Sequence, residues 1–207
     1  MISFPGPLDG VYDFKECHFH WSRDNTTGGS EHLVNGNQAQ AELHLVHFKH
    51  DVNQPLETGD GLCVLGIRLV CQKDATTDPM LKHLLNLIPK VAYKGDQSKC
   101  ENQVALYEML SNIREKYYTY DGSLTTPPLA ECVKWIVFSD VMTISEDDFN
   151  HFHSVFAIGK GENESAKDFY DPFSRSGDCR CHGKPKIRDN YRDVCDLSGR
   201  QVRRSFK

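Results

Sequence analysis

The 207-residue chain contains no apolar run near the roughly 20 residues that cross a bilayer, and MISFPGPLDG at its start lacks the basic opening and apolar stretch of a secretory signal. Positive charge is scarce: 24 Lys and Arg against 29 Asp and Glu leave a formal net charge of −5. A nucleic-acid surface, which needs clustered Lys and Arg, is therefore not expected. The one basic cluster, Arg200, Arg203, Arg204 and Lys207, reads as a solvated tail. Eight cysteines, at 17, 63, 71, 100, 132, 179, 181 and 195, are too few for a disulfide scaffold and leave the redox compartment open. Internal repeats are absent. Hydrophobic residues at 39% and charged residues at 26% describe a folded globular chain, and the length suits one domain, 1–207.

Short segments rich in Val, Ile, Leu, Phe and Trp predict strands at 15–22, 39–49, 61–71 and 131–138. Between the first two, 23–38 reads as a hairpin connection, with Asn25, Gly28, Gly29, Asn35 and Gly36 as turn residues. Apolar periodicity predicts helices at 78–88 and 102–116, and a third at 145–156 with Ser145 as its N-cap. Residues 159–189, with CRCHGK at their centre, read as a surface loop insertion, and 190–207 as a possible closing strand. Two sequons, Asn25-Thr26-Thr27 and Asn163-Glu164-Ser165, would matter only in a secreted protein.

His18 and His20 are two apart in a strand, so both rings project on one side, with Phe19 facing the other layer. Across the hairpin comes AELHLVHF, where Glu42, His44 and Val46 share one face and Leu43, Leu45 and His47 the other. His44 can complete a three-histidine site. Neutral imidazoles suit Zn²⁺, and three protein ligands leave a fourth tetrahedral corner for water, as in catalytic rather than structural sites. Glu42 is placed to accept the His44 N–H and fix its tautomer, whereas His47 points to the wrong face and reads as a core histidine.

GPLDG (6–10), HFHW (18–21), GSEH (29–32), AELHLVHF (41–48), DGLCVLGI (60–67), YDGSLTTPPLAECVKWIVF (120–138) and RSFK (204–207) together resemble the alpha-class carbonic anhydrases. The resemblance implies a single mixed α/β (α+β) domain, with a central, mostly antiparallel twisted sheet and peripheral helices. It also implies Zn²⁺ on His18, His20 and His44, Glu31 and Thr125 as a hydroxyl-orienting pair, and Thr126 as a neighbouring substrate-site residue. His32 and Tyr120 match a buried hydrogen-bonding pair, and Val46, Val64, Leu124, Val133 and Trp135 an apolar wall for carbon dioxide. The implied function is reversible hydration of carbon dioxide to bicarbonate and a proton by a zinc-bound hydroxide. The alternative is a weak or inactive carbonic anhydrase-like binding module that serves as a protein-interaction domain.

The family's domain begins upstream of GPLDG, so the usual proton-relay histidine is expected to be missing and turnover to lean on small imidazole buffers. Cys17 is expected where the family has an amide supporting the first zinc histidine, and a thiol is a weaker hydrogen-bond partner. Cys132 resembles the cytosolic pattern, which implies a cytoplasmic protein, while a secreted form would need an upstream signal. A carbon dioxide or bicarbonate substrate is the only partner the resemblance names.

Overall fold

The computed structural model describes Ile2 and residues 7–99, 105–160 and 186–207. Among the described residues there are nine strands: β1 (Tyr12–Trp21), β2 (Leu33–Val34), β3 (Asn37–Gln38), β4 (Ala41–Lys49), β5 (Leu62–Gln72), β6 (Tyr117–Gly122), β7 (Val133–Phe138), β8 (Met142–Ser145) and β9 (Arg203–Arg204). The main sheet runs β1-β4-β5-β7-β6-β9, with β8 also paired to β5 and β2-β3 forming a separate hairpin. β5 is parallel to β7 and β8, and the other pairs are antiparallel. The sheet is thus mixed and mostly antiparallel, as expected from the sequence. In the small hairpin, Asn35 and Gly36 both take positive φ (53° and 77°), the geometry of a two-residue turn that favours Asn-Gly.

Side-chain alternation on β4, β5 and β7 makes two cores from one sheet. Leu43, Leu45, Leu65, Ile67, Leu69, Ile136 and Phe138 point to a large cluster completed by Leu81, Leu85, Phe149 and Phe152 of the helical layer. Val46, Leu62, Val64, Val133, Trp135 and Val137 point the other way and form a smaller cluster. Because both faces are covered, the first seven residues of β4 and the first eight of β5 are buried without interruption.

The helical layer is slighter than the periodicity predicted. The 78–88 expectation becomes α1 (Pro79–Leu85), with Asp78 accepting from the Met80 and Leu81 amides, followed by a 3-10 turn at Ile88–Val91. The third helix is α2 (Glu146–Asn150), capped by Ser145, then a 3-10 turn at His151–Ser154. The helix expected at 102–116 is corrected: 102–104 lie outside the described residues, and the remainder holds only the 3-10 turn Glu108–Leu110. Its bonds are short-range: Leu110 to Tyr107, Ser111 to Glu108 and Ile113 to Leu110, with Arg114 to Leu110 the longer step. Met109, Leu110 and Ile113 are all buried, so tight turns meet the tertiary demand that the periodicity expressed.

Strands β6 and β8 were not anticipated. Tyr117–Gly122 carries polar residues and Met142–Ser145 is four residues long, so neither stands out as an apolar run. The basic tail is pinned rather than free: Arg203–Arg204 pair with β6, and the Arg200 guanidinium lies 5.6 Å from the centre of the Tyr120 ring. Most of the 159–189 insertion, CRCHGK included, lies outside the described residues.

His47 is fully buried on the large-core face. Its Nδ1–H donates to the Cys63 carbonyl (3.3 Å), and its Nε2 accepts from the Tyr107 hydroxyl (2.7 Å). Burial holds this ring down to about 4 from its ordinary 6.5. Between those values the unfolded chain binds more protons, so stability present above pH 6.5 is lost as pH falls toward 4. His47→Gln removes this contribution. Urea midpoints of the metal-free protein, followed from pH 7 downward, are expected to fall less steeply in the variant than in the wild type.

Candidate metal centre

The register of β1 on β4 sets His18 opposite His44 and His20 opposite Glu42, which brings three rings to one patch of the smaller-cluster face. Ring centroids lie 5.1 Å apart for His18–His20, 5.3 Å for His18–His44 and 4.7 Å for His20–His44. One ligand nitrogen from each falls within 4.8 Å of the others.

The tautomers are set by what lies behind each ring. His44 Nε2–H donates to Glu42 Oε1 (2.8 Å), which leaves Nδ1 facing the other two histidines. His20 Nδ1–H donates to the Asn190 carbonyl (2.9 Å), which leaves Nε2 buried with no hydrogen-bond partner. Glu42 is fully buried and also accepts from the His32 amide (2.9 Å) and His32 Nδ1–H (2.6 Å), while Tyr120 donates to His32 Nε2 (2.7 Å). Burial alone would raise the Glu42 carboxyl. The adjoining His32 and His44 rings outweigh it and hold it well below the usual range. Gly66 makes room for this network, because a Cβ there would stand 2.9 Å from Glu42 Oε1.

Glu31 faces the same gap. Its Oε1 accepts from the Arg192 amide (2.8 Å). Its buried, unpartnered Oε2 lies 3.3 Å from His20 Nε2 and 4.0 Å from His44 Nδ1. Burial lowers His44 to about 3 and His18 to about 4, the neighbouring His20 adding to the shift at His18. Both are therefore neutral at ordinary pH. His20 Nε2 and Glu31 Oε2 are thus buried polar atoms without a hydrogen-bond partner, placed beside His44 Nδ1. The donor set suits a divalent metal such as Zn²⁺.

Val46, Val64, Val133 and Trp135 belong to the apolar cluster beside the rings, and Leu124 packs against it. The Trp135 ring centre is 4.8 Å from that of His44. Glu31, His32, Tyr120 and Thr125 line a cavity of about 880 Å³ that opens between the β2-β3 hairpin, β6 and the C-terminal segment. Thr126 is exposed. Thr125 and Glu31 share this wall, but no hydrogen bond joins them.

The expectation for Cys17 is corrected. Cys17 pairs with Leu45 and packs against the large core, on the face opposite His18. The polar atom beside His18 belongs to Glu16, whose Oε1 lies 3.7 Å from His18 Nδ1. Strand alternation offered this signal, since Glu16 and His18 are two apart. Asn190 was also missed: its Oδ1 accepts from the Trp21 amide (2.8 Å) and its Nδ2 donates to the Phe19 carbonyl (3.0 Å). A residue 170 positions from His20 gives no local sequence signal.

The model of eukaryotic-type carbonic anhydrases matches residues 2–206. The chain is 34% identical over 211 residues to mitochondrial carbonic anhydrase 5A of Rattus norvegicus, a match covering 98% of this chain and 59% of the relative. It is 33% identical over 208 residues to carbonic anhydrase 7 of Homo sapiens (98% and 68% covered), and 34% identical over 205 residues to carbonic anhydrase 3 of Rattus norvegicus (98% and 69%). It belongs to the eukaryotic-type carbonic anhydrase family. The chain spans 59% of the length of the first of these relatives.

Asn190→Ala removes both side-chain bonds to the β1 backbone and loosens the carbonyl that orients His20. The expected loss is about 1–3 kcal/mol of metal-free stability by urea unfolding. Zinc affinity, measured by chelator competition, is expected to fall by roughly tenfold or more.

Proposed function

We propose that this chain holds one Zn²⁺ on His18, His20 and His44 and catalyses the reversible hydration of carbon dioxide to bicarbonate and a proton. The observation that carries the reading is the meeting of His20 Nε2 and Glu31 Oε2, both buried without a hydrogen-bond partner and 3.3 Å apart, with His44 Nδ1 4.0 Å from the same carboxylate oxygen. A bound zinc would supply an acidified water, with the pKa of about 7 known for zinc-bound water in carbonic anhydrase.

The protein's own groups do the rest. Glu42 holds the His44 ring so that Nδ1 faces the centre, and the Asn190 carbonyl does the same for His20 Nε2. Val46, Val64, Leu124, Val133 and Trp135 offer an uncharged substrate an apolar rest and keep bulk water off that side. Glu31 Oε2 is free to accept the Thr125 hydroxyl proton from the shared cavity wall. Thr125 would then be left as an acceptor that fixes the direction of the nucleophile's lone pair. Thr126, exposed and next in sequence to Thr125, is the neighbouring substrate-site residue of this reading. His32 and Tyr120 keep Glu42 in place from behind.

No helix among the described residues is long and apolar enough to cross a membrane. The cytoplasmic reading rests on Cys132, a buried free thiol in the apolar wall.

The test is a carbon dioxide hydration assay on protein whose zinc content has been measured. One zinc per chain with turnover that an aromatic sulfonamide blocks is the expected result. One zinc without turnover would select the binding-module reading. His44→Ala is expected to lose both metal and rate, and full zinc stoichiometry in that variant would mean that the ligands are misassigned.

A further inference from the structure

Arg68 is only 5% exposed, and it lies on the metal-centre face of β5, directly across from Glu42 in the β4–β5 register. Its Nη2 donates to the Ser139 carbonyl (2.7 Å), while its Nε is buried with no hydrogen-bond partner. A guanidinium taken out of water is destabilising unless an opposite charge or a full set of acceptors compensates it. One carbonyl is not a full set. The buried carboxylate facing it across the strands is Glu42, which spends its hydrogen bonds on His32 and His44 and makes none to Arg68.

We propose that Arg68 is a positioning residue: the fixed counter-charge that keeps the Glu42 carboxylate, and the His32 and His44 rings that donate to it, assembled in the metal-free chain. Side chains directly opposite in an antiparallel pair start about 5 Å apart at Cβ, close enough for two buried charges to compensate each other without a hydrogen bond. The lowering of the Arg68 pKa by burial, opposed first by the charge of Glu42, agrees with this pairing.

Metal-free wild type, Arg68→Met, Arg68→Lys, Glu42→Gln and the Arg68→Met/Glu42→Gln double variant would be unfolded in urea. Arg68→Met is expected to lower the midpoint clearly and Arg68→Lys to restore most of it. In the Glu42→Gln background, Arg68→Met is expected to cost little, because the charge it compensated is gone. An equal loss in both backgrounds overturns the proposal. Should Arg68→Met alone fail to fold, a folded double variant supports the pairing and an unfolded one overturns it. Rescue by Arg68→Lys, together with the dependence of the Arg68→Met loss on Glu42, is the readout that a merely structural arginine would not give.

Discussion

The metal-centre face depends on one alignment, the antiparallel register that puts His18 against His44 and His20 against Glu42. Side chains alternate along a strand, so a slip of β1 by one residue would send His18 and His20 into the large core, bring Phe19 to the centre and leave His44 without its two partners. The register is held from both sides. Leu43 and Leu45 are fully buried in the large cluster, and Asn190 bonds the Phe19 and Trp21 backbone at the outer edge of β1. Packing on one face thus secures chemistry on the other.

That division of labour explains what was legible in the sequence. The strands that carry the site were readable because alternation imposes period two, and the sorting of Glu42, His44 and Val46 against Leu43, Leu45 and His47 matches their two clusters in the structure. The same rule, applied to Glu16 and Cys17, would have put the carboxylate and not the thiol beside His18. The contribution of Asn190 was beyond reading, since its bonds join segments about 170 residues apart. The 105–116 segment failed for a different reason. Its periodicity reported which side chains would be buried, and a run of tight turns buries them as well as a helix would.

Electrostatically the centre is built of opposites held apart. Glu31 and Glu42 are buried carboxylates, yet only Glu42 is furnished with donors on both of its oxygens. Glu31 Oε2 is left toward the rings, where a cation would be attracted. Neutral His18 and His44 make the lone pairs available without a proton to displace. The Glu42 oxygens behind the rings are therefore supplied with donors in the metal-free chain, while His20 Nε2 and Glu31 Oε2 in front of them are not.

Gly66 bears on how far the centre can be altered. The carboxylate of Glu42 lies over a backbone position that carries no side chain, locked by three donors, so the nearest neighbour has no slack to yield. Even a methyl group at that spot would act as a lever, tilting the acceptor and with it the His44 ring. The geometry at the front of the site is thus copied from an empty space beneath it, one that no chemically active residue marks.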